Sequence, residues 1–360
     1  RVAGTLLVVW AIISARASGV VFGFERIPPQ VSLYLLLATG FRLGVAPMNV
    51  FFLTIAGDRR EPPLRRGLGT MLRLTPAAAS LVLLARTANV GVSASAMIPF
   101  LLALTVLAAL YGGVNWVAAG DELRGRPFWV LGVAALAVAA AIRAQPFAAV
   151  AWGVVLLLGG GLLALFSARE RWLLALFVVG GAGISTLPFS PSWPGSDLYS
   201  PFQPIVLLFL LAQGLLLAGF ARHALRPGTS LEGWVRGIRA IYPVGLAIFP
   251  LTHFLIGWQL RLEGGGSPGG WWQGAASVGI AVLILTWALR GPRLPPRVTQ
   301  VFRRGFSLHW LYRLLWRGYR VLGGGVSFLT VLLEGEGGML WAFLLLSLLL
   351  SLIAQAGSGN

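Results

Sequence analysis

The chain contains no cysteine and no lysine, and only eleven of its 360 residues are acidic. Without cysteine there are no disulfides, no thiolate metal sites and no thiol chemistry. Without lysine there is no ε-ammonium group that burial could tune into a base. The histidines, His223, His253 and His309, are far apart and form no metal-ligand pair at helical spacing. No metal or other cofactor, no soluble small-molecule substrate and no enzymatic activity are therefore expected. Charge is scarce as well: charged residues make up 11% of the chain, against about a quarter in soluble domains. Hydrophobic residues reach 57% and the mean hydropathy is +0.81, which excludes a water-soluble fold.

The basic residues present are all arginine, 28 of them, giving a formal charge of +17. In a soluble protein that charge would suit nucleic acid. Here the arginines fall in alternate loops between hydrophobic stretches, where anionic lipid headgroups meet them, and no nucleic-acid partner is expected. One set of segments holds Arg1; Arg59, Arg60, Arg65, Arg66 and Arg73; Arg124 and Arg126; and Arg169 and Arg171. The same set continues with Arg222, Arg226, Arg236 and Arg239, and then with Arg290, Arg293, Arg297, Arg303, Arg304, Arg313, Arg317 and Arg320. That set holds 22 arginines, whereas the intervening loops hold 4: Arg26, Arg86, Arg143 and Arg261. The positive-inside rule makes the first set cytoplasmic.

A span needs about 20 mostly apolar residues, and on that measure the chain has about eleven. They run Leu6–Phe24, Val31–Thr54, Met71–Ala85, Met97–Ala119, Phe128–Ile142 and Phe147–Phe166. The rest are Trp172–Ile184, Ile205–Leu225, Ile238–Ile256, Trp271–Leu289 and Met339–Ala354. The expected fold is an all-α polytopic membrane protein in the inner (cytoplasmic) membrane, with its N-terminus cytoplasmic and its C-terminus outside. A start at Arg1 rather than Met is what a fragment or a processed chain would have. Trp193, Trp258, Trp271 and Trp272 fall at the expected outer interfaces, where amphipathic rings are favoured.

Two stretches depart from simple spans. Ile184–Pro204, with Pro188, Pro191, Pro194 and Pro201, reads as a broken helix end followed by an outer loop. In Arg297–Leu322, Val298, Phe302, Leu308, Leu311, Leu315, Tyr319 and Leu322 recur at helical spacing, while Arg313, Arg317 and Arg320 share another face. That pattern predicts an amphipathic helix on the cytoplasmic surface, ended by Gly323–Gly325; a solvated loop is the alternative. The chain thus divides into a bundle over 1–290, an amphipathic helix and connector over 291–336, and an anchoring helix over 337–360.

Ion transport needs ionisable groups inside the membrane. Every acid falls in a loop or at a helix end, leaving Arg16, Arg42 and His253 within apolar stretches. Arg42 lies mid-span beside Gly44 and Pro47, which favour an interrupted helix. It reads either as a fixed positive charge in a polar channel or subunit interface, or as a snorkelling or backbone-paired side chain. Arginine does not release and regain a proton as lysine does. Arg16 reads as structural. His253, with no acid partner in sequence, reads as a hydrogen-bonded core residue, and as a group able to titrate near neutrality in the alternative.

Phe41-Arg42-Leu43-Gly44-Val45-Ala46-Pro47-Met48-Asn49-Val50-Phe51 resembles the F-K-x-G-x-A-P-F-H-x-W motif of antiporter-like membrane subunits. That family occurs in respiratory complex I, the related membrane hydrogenases and the Mrp cation/proton antiporters. Ala119–Arg126 is similar to the family's cytoplasmic Q-x-D-L-K-R loop. Ala182–Ser190, which contains Pro188, looks like its A-G-L-P-P-x-x-G-F helix break. The resemblance implies a discontinuous helix around Gly44 and Pro47 and another at Pro188. It also aligns the amphipathic stretch with the lateral helix that precedes the last span of the distal complex I subunit.

The departures from the family are specific. The family's channel lysine is Arg42, and the Phe, His and Trp after it are Met48, Asn49 and Phe51. Phe147–Phe166 lacks the residues of the family's H-A-x-x-K helix, and five helices that precede the motif in the family have no counterpart. The expected function is therefore a structural or assembly subunit of a larger membrane complex, with other membrane subunits and lipid as partners. The alternative is an active proton or cation translocating subunit completed by a partner chain. A pigment- or lipid-binding accessory subunit is a third class, and no residue specifies its ligand.

Overall fold

Helices carry the chain, and no strand occurs among the described residues. The computed structural model describes residues 2–20, 23, 27–48, 66–92, 95–165, 170–226, 231, 233–266, 270–290, 309–334 and 337–357. They form two units, 1–292 and 293–360.

The first unit comprises α1 (Val2–Ala17), α2 (Pro29–Leu43), α3 (Arg66–Ala88), α4 (Ile98–Ala118), α5 (Glu122–Ile142) and α6 (Pro146–Leu165). It continues with α7 (Leu174–Ala182), a 3-10 helix (Trp193–Tyr199), α8 (Pro204–Ala224), α9 (Arg236–Leu262) and α10 (Trp271–Arg290). Proline opens several of these helices at the first turn, where its missing N–H has no helical partner to lose. The core is built on α5, buried from Gly125 to Ile142 apart from Phe128 and Val130. A helix apolar all round belongs inside a bundle, and its run of alanines lets neighbours come close. At its crossing with α4, a Cβ on Gly112 would lie 2.6 Å from the Cα of Gly132. Small residues at such a crossing allow backbones to touch, as in membrane bundles.

α6 carries a π turn at Val155–Gly159. Trp129 of α5 lies against it: a Cβ on Gly160 would stand 2.7 Å from the indole nitrogen. That nitrogen donates to the Leu156 carbonyl at 3.4 Å, within the turn whose hydrogen-bond ladder is displaced.

Among the described residues, five helices are long and apolar enough to cross a membrane by length and composition: α4, α5, α6, α8 and α9. Shorter apolar helices occupy Val2–Ala17, Leu74–Ala88, Trp271–Trp287 and Trp341–Ser351. The expected spans differ from the helices in definite ways. Val31–Thr54 is cut at Leu43, where Gly44 caps α2 in the left-handed region at φ 82°; positions 49–54 lie outside the described residues. Trp172–Ile184 begins as a 3-10 turn at Arg171–Leu173, continues as the nine-residue α7 and stops at Ala182. α5 starts six residues before Phe128, because the Asp121 side chain accepts from the Arg124 N–H and caps a helix that tolerates Pro127 in its first turns.

In the second unit, α11 (His309–Glu334) and α12 (Gly337–Gly357) are in contact. The stretch from His309 onwards is helical rather than a solvated loop, and Gly323–Gly325 does not end it. None of those glycines takes a positive φ, so no left-handed cap forms and α11 runs on to Glu334. The amphipathic positions from Arg297 to Leu308 lie outside the described residues.

Candidate functional site: the buried helix break

The chain stops being helical at Gly183 and resumes a full helix at Pro204, and most of the stretch between is buried in the first unit, while Phe189 and the four residues 200–203 are exposed. Ser185, Thr186, Ser192, Trp193, Ser196, Leu198 and Tyr199 are all buried. Trp193, expected at an outer interface, is buried as well, whereas Trp258, Trp271 and Trp272 are exposed. A buried irregular segment must find partners for its freed backbone groups, and three neighbouring helices supply them.

From α8, Gln213 donates through Nε2 to the Ile184 carbonyl at 3.0 Å and to Thr186 Oγ1 at 3.1 Å. Its Oε1 accepts from the Tyr199 hydroxyl at 2.5 Å. From α10, Ser277 donates to the Ser185 carbonyl at 3.2 Å. From α6, the Trp152 indole N–H donates to the Gly195 carbonyl at 3.2 Å. Within the segment the Thr186 N–H donates to Ser192 Oγ at 3.0 Å. Thr186 and Phe189 lie in the left-handed region, at φ 54° and 66°, and these bonds hold Thr186 there. That conformation is costly for a β-branched residue such as Thr186, of order 1–3 kcal/mol, unless the surroundings fix it.

Two glycines let helix backbones reach the break. A Cβ on Gly257 of α9 would lie 2.3 Å from the Pro191 carbonyl oxygen, and one on Gly274 of α10 would lie 2.7 Å from that of Thr186. Pro188 stands between the two left-handed residues. At the far end of α9, the Arg261 guanidinium lies 4.2 Å from the Trp193 ring centre and 5.1 Å from that of Phe189. The Asp197 carboxylate accepts from the Gly266 N–H at 3.0 Å.

His253 projects from α9 against the end of α7, where a Cβ on Gly183 would stand 3.0 Å from its Nδ1. It is buried, and its Nε2 has no hydrogen-bond partner among the described residues. The expectation of a hydrogen-bonded core histidine is thus met for burial and not for bonding.

Arg42 lies elsewhere, in the last turn of α2, half-buried. Its Nε donates to Ser80 Oγ of α3 at 3.2 Å, and Ser80 in turn donates to the Pro76 carbonyl at 2.8 Å. Gly4 of α1 leaves room for it: a Cβ there would lie 2.7 Å from Arg42 Cγ. Gly44 and Pro47 follow directly, the latter after a cis peptide bond. Arg42 and His253 therefore belong to different helix groups, and the structure does not bring them together. Arg16 sits exposed in the last turn of α1, where a cation suits the helix dipole.

The Ala119–Arg126 stretch performs structural work. Arg126 donates to Glu122 at 2.7 Å and to the Ala164 carbonyl at 2.9 Å, with both charged side chains largely buried. The C-terminal end of α4 is met from the end of α8 and the residues just after it: Arg222 donates to the Val117 carbonyl, Arg226 to that of the cap residue Ala119 at 2.6 Å, and His223 Nε2 meets that of Trp116 at 3.0 Å. Cations at a helix C-terminus complete both hydrogen bonding and dipole.

Taken together, the break is a hydroxyl and amide network, suited to fixing irregular backbone inside an apolar bundle. Sequence reasoning passed over its hub. Gln213 is the one amide in the apolar run Pro204–Phe220, and a lone amide in such a run is a signal of internal hydrogen bonding. Compared with models of known protein families and with curated protein sequences, the chain matches none.

Proposed function

We propose that the chain is a structural or assembly subunit of a larger membrane complex, descended from an antiporter-like subunit whose proton relay it has lost. The observation that carries this reading is the closure of the helix break on itself. Tyr199, Gln213 and Thr186 satisfy one another, and Gln213 and Ser277 satisfy the freed backbone, which is a scaffold's use of a broken helix. Arg42 supports it: the position that the resemblance gives to a channel lysine carries a side chain that keeps its charge and donates to Ser80. On this reading the chain spans the inner membrane about eleven times, with the arginine-rich loops cytoplasmic. Partners would cover the apolar face of α9, where Ile241, Val244, Leu251, Leu255 and Trp258 are exposed.

A second reading, an ion-translocating subunit completed by another chain, draws on one feature, the buried His253 with its unpartnered Nε2. The two separate in proteoliposomes. The purified chain is expected to give no pH-driven flux above protein-free vesicles. Robust flux that Arg42→Ala or His253→Gln abolishes would overturn the structural reading. Gentle solubilisation is expected to recover the chain together with other membrane subunits.

A further inference from the structure

α11 presents a face whose chemistry names its own counterpart. Arg313, Arg317 and Arg320 follow one another at intervals of four and three residues, so at about 100° per residue they fall within an arc of roughly 60°. All three are exposed, and between His309 and Leu333 the helix carries no acid. Trp316 borders that arc, about 40° from Arg320, and Tyr319, about 60° further round, stacks on it at 5.4 Å and 22°, both more than half exposed. Directly after Arg320 the sequence Val321–Leu333 contains no charged residue. A basic stripe, amphipathic rings at its border and an uncharged run behind it match, in order, the headgroups, the interface and the acyl region of a bilayer.

We propose that the Arg313–Arg317–Arg320 face of α11 docks on anionic phospholipid headgroups, with Trp316 and Tyr319 at the level where headgroups give way to acyl chains. The proposal rests on the reading of the chain as membrane-embedded, and it is independent of whether the chain moves ions. Charge complementarity selects the occupant: three like charges on one stripe need distributed negative charge, which an anionic leaflet supplies at about 1 kcal/mol per arginine. Each arginine is therefore worth roughly a 5-fold preference for the docked state.

The absence of cysteine makes the test clean. Gly318→Cys, at a position with open space around it, is labelled with a polarity-sensitive fluorophore in the full chain. The labelled chain is reconstituted in vesicles of phosphatidylcholine alone or of phosphatidylcholine with phosphatidylglycerol. The expected result is an apolar emission shift only where phosphatidylglycerol is present, reversed by high salt. Replacing all three arginines by Gln should weaken docking about 100-fold, and replacing them by Lys should restore it, which separates charge from folding. Equal emission in both lipids, or an unchanged Gln variant, overturns the proposal. So does an apolar signal confined to native membranes that retain co-purifying proteins, since a protein surface would then be the occupant. Flotation of the chain with the vesicles is read in parallel: a chain that floats while its label stays aqueous sinks this inference alone, and a chain that does not float sinks the membrane reading too.

Discussion

The Tyr199 hydroxyl donates to Gln213 Oε1 at 2.5 Å, tying the 3-10 helix of the break to the middle of α8. The other end of the same amide holds the Ile184 carbonyl and Thr186 Oγ1. One side chain thus joins both sides of an interruption of some twenty residues, and a buried polar hub of that kind is expensive to disturb, because each partner left behind has no water to turn to.

Gln213→Leu is expected to lower stability by about 2–4 kcal/mol, since it strands the Tyr199 hydroxyl and the Ile184 carbonyl in an apolar interior. Thermal unfolding in detergent measures the loss. Tyr199→Phe alone should cost less, about 1 kcal/mol, and the double variant should cost less than the sum of the two. Additive losses would mean that the two side chains do not share one network.

Gly257→Ala and Gly274→Ala test the close approach of α9 and α10 to the break. The new methyl groups would fall 2.3 Å and 2.7 Å from carbonyl oxygens of Pro191 and Thr186. Backbone atoms cannot swing aside, so each substitution should destabilise by about 1–3 kcal/mol. Gly245→Ala, in α9 with open space around it, is the control. It should be neutral or stabilise by up to about 1 kcal/mol through helix propensity. The comparison is made by unfolding all three variants under one condition, and equal effects would refute the packing argument.

The Glu122–Arg126 pair tests a different kind of contact. Its side chains are only 13% and 10% exposed. Arg126→Ala removes the buried cation paired with Glu122 and the donor to the Ala164 carbonyl, at a cost of about 3 kcal/mol. Arg124→Ala, which breaks the exposed pair with Asp121, should cost under about 1 kcal/mol. Unfolding measurements that rank the two the other way would contradict the burial of the pair.

The helices were legible in the sequence wherever an apolar run was long, as in α4, α6 and α8, because burial in a bundle or bilayer demands hydrophobicity along the whole element. Their interruptions were legible only in part. Gly44 and Pro188 are turn-forming residues and announced an irregularity. Nothing local told that Ser185–Tyr199 would fold inward, since that depends on Gln213, Ser277 and Gly257 arriving from helices distant in sequence. Gly323–Gly325 misled in the opposite direction: glycine permits a left-handed cap without requiring one, and the backbone of α11 stays right-handed through all three. The π turn of α6 likewise has no sequence signature of its own; it is fitted to the Trp129 indole.

Arg42→Lys is the substitution that bears most directly on the proposed descent from a pump. It introduces the residue that the resembled family places in its channel, yet a lysine there would still find Ser80 across the α2–α3 contact and Gly4 beneath its stem. If the proton relay has been lost as a whole, one returned lysine has no chain of titrating neighbours to exchange with, and proton transfer needs donors and acceptors in sequence. Proteoliposomes carrying Arg42→Lys are therefore expected to show no pH-driven flux, and the variant should unfold within about 1 kcal/mol of the parent, because one neutral-to-cation hydrogen bond is exchanged for another of the same kind. Flux gained by this single change would instead show that the remaining groups, His253 among them, still form a working path, and it would move the chain from scaffold to dormant transporter.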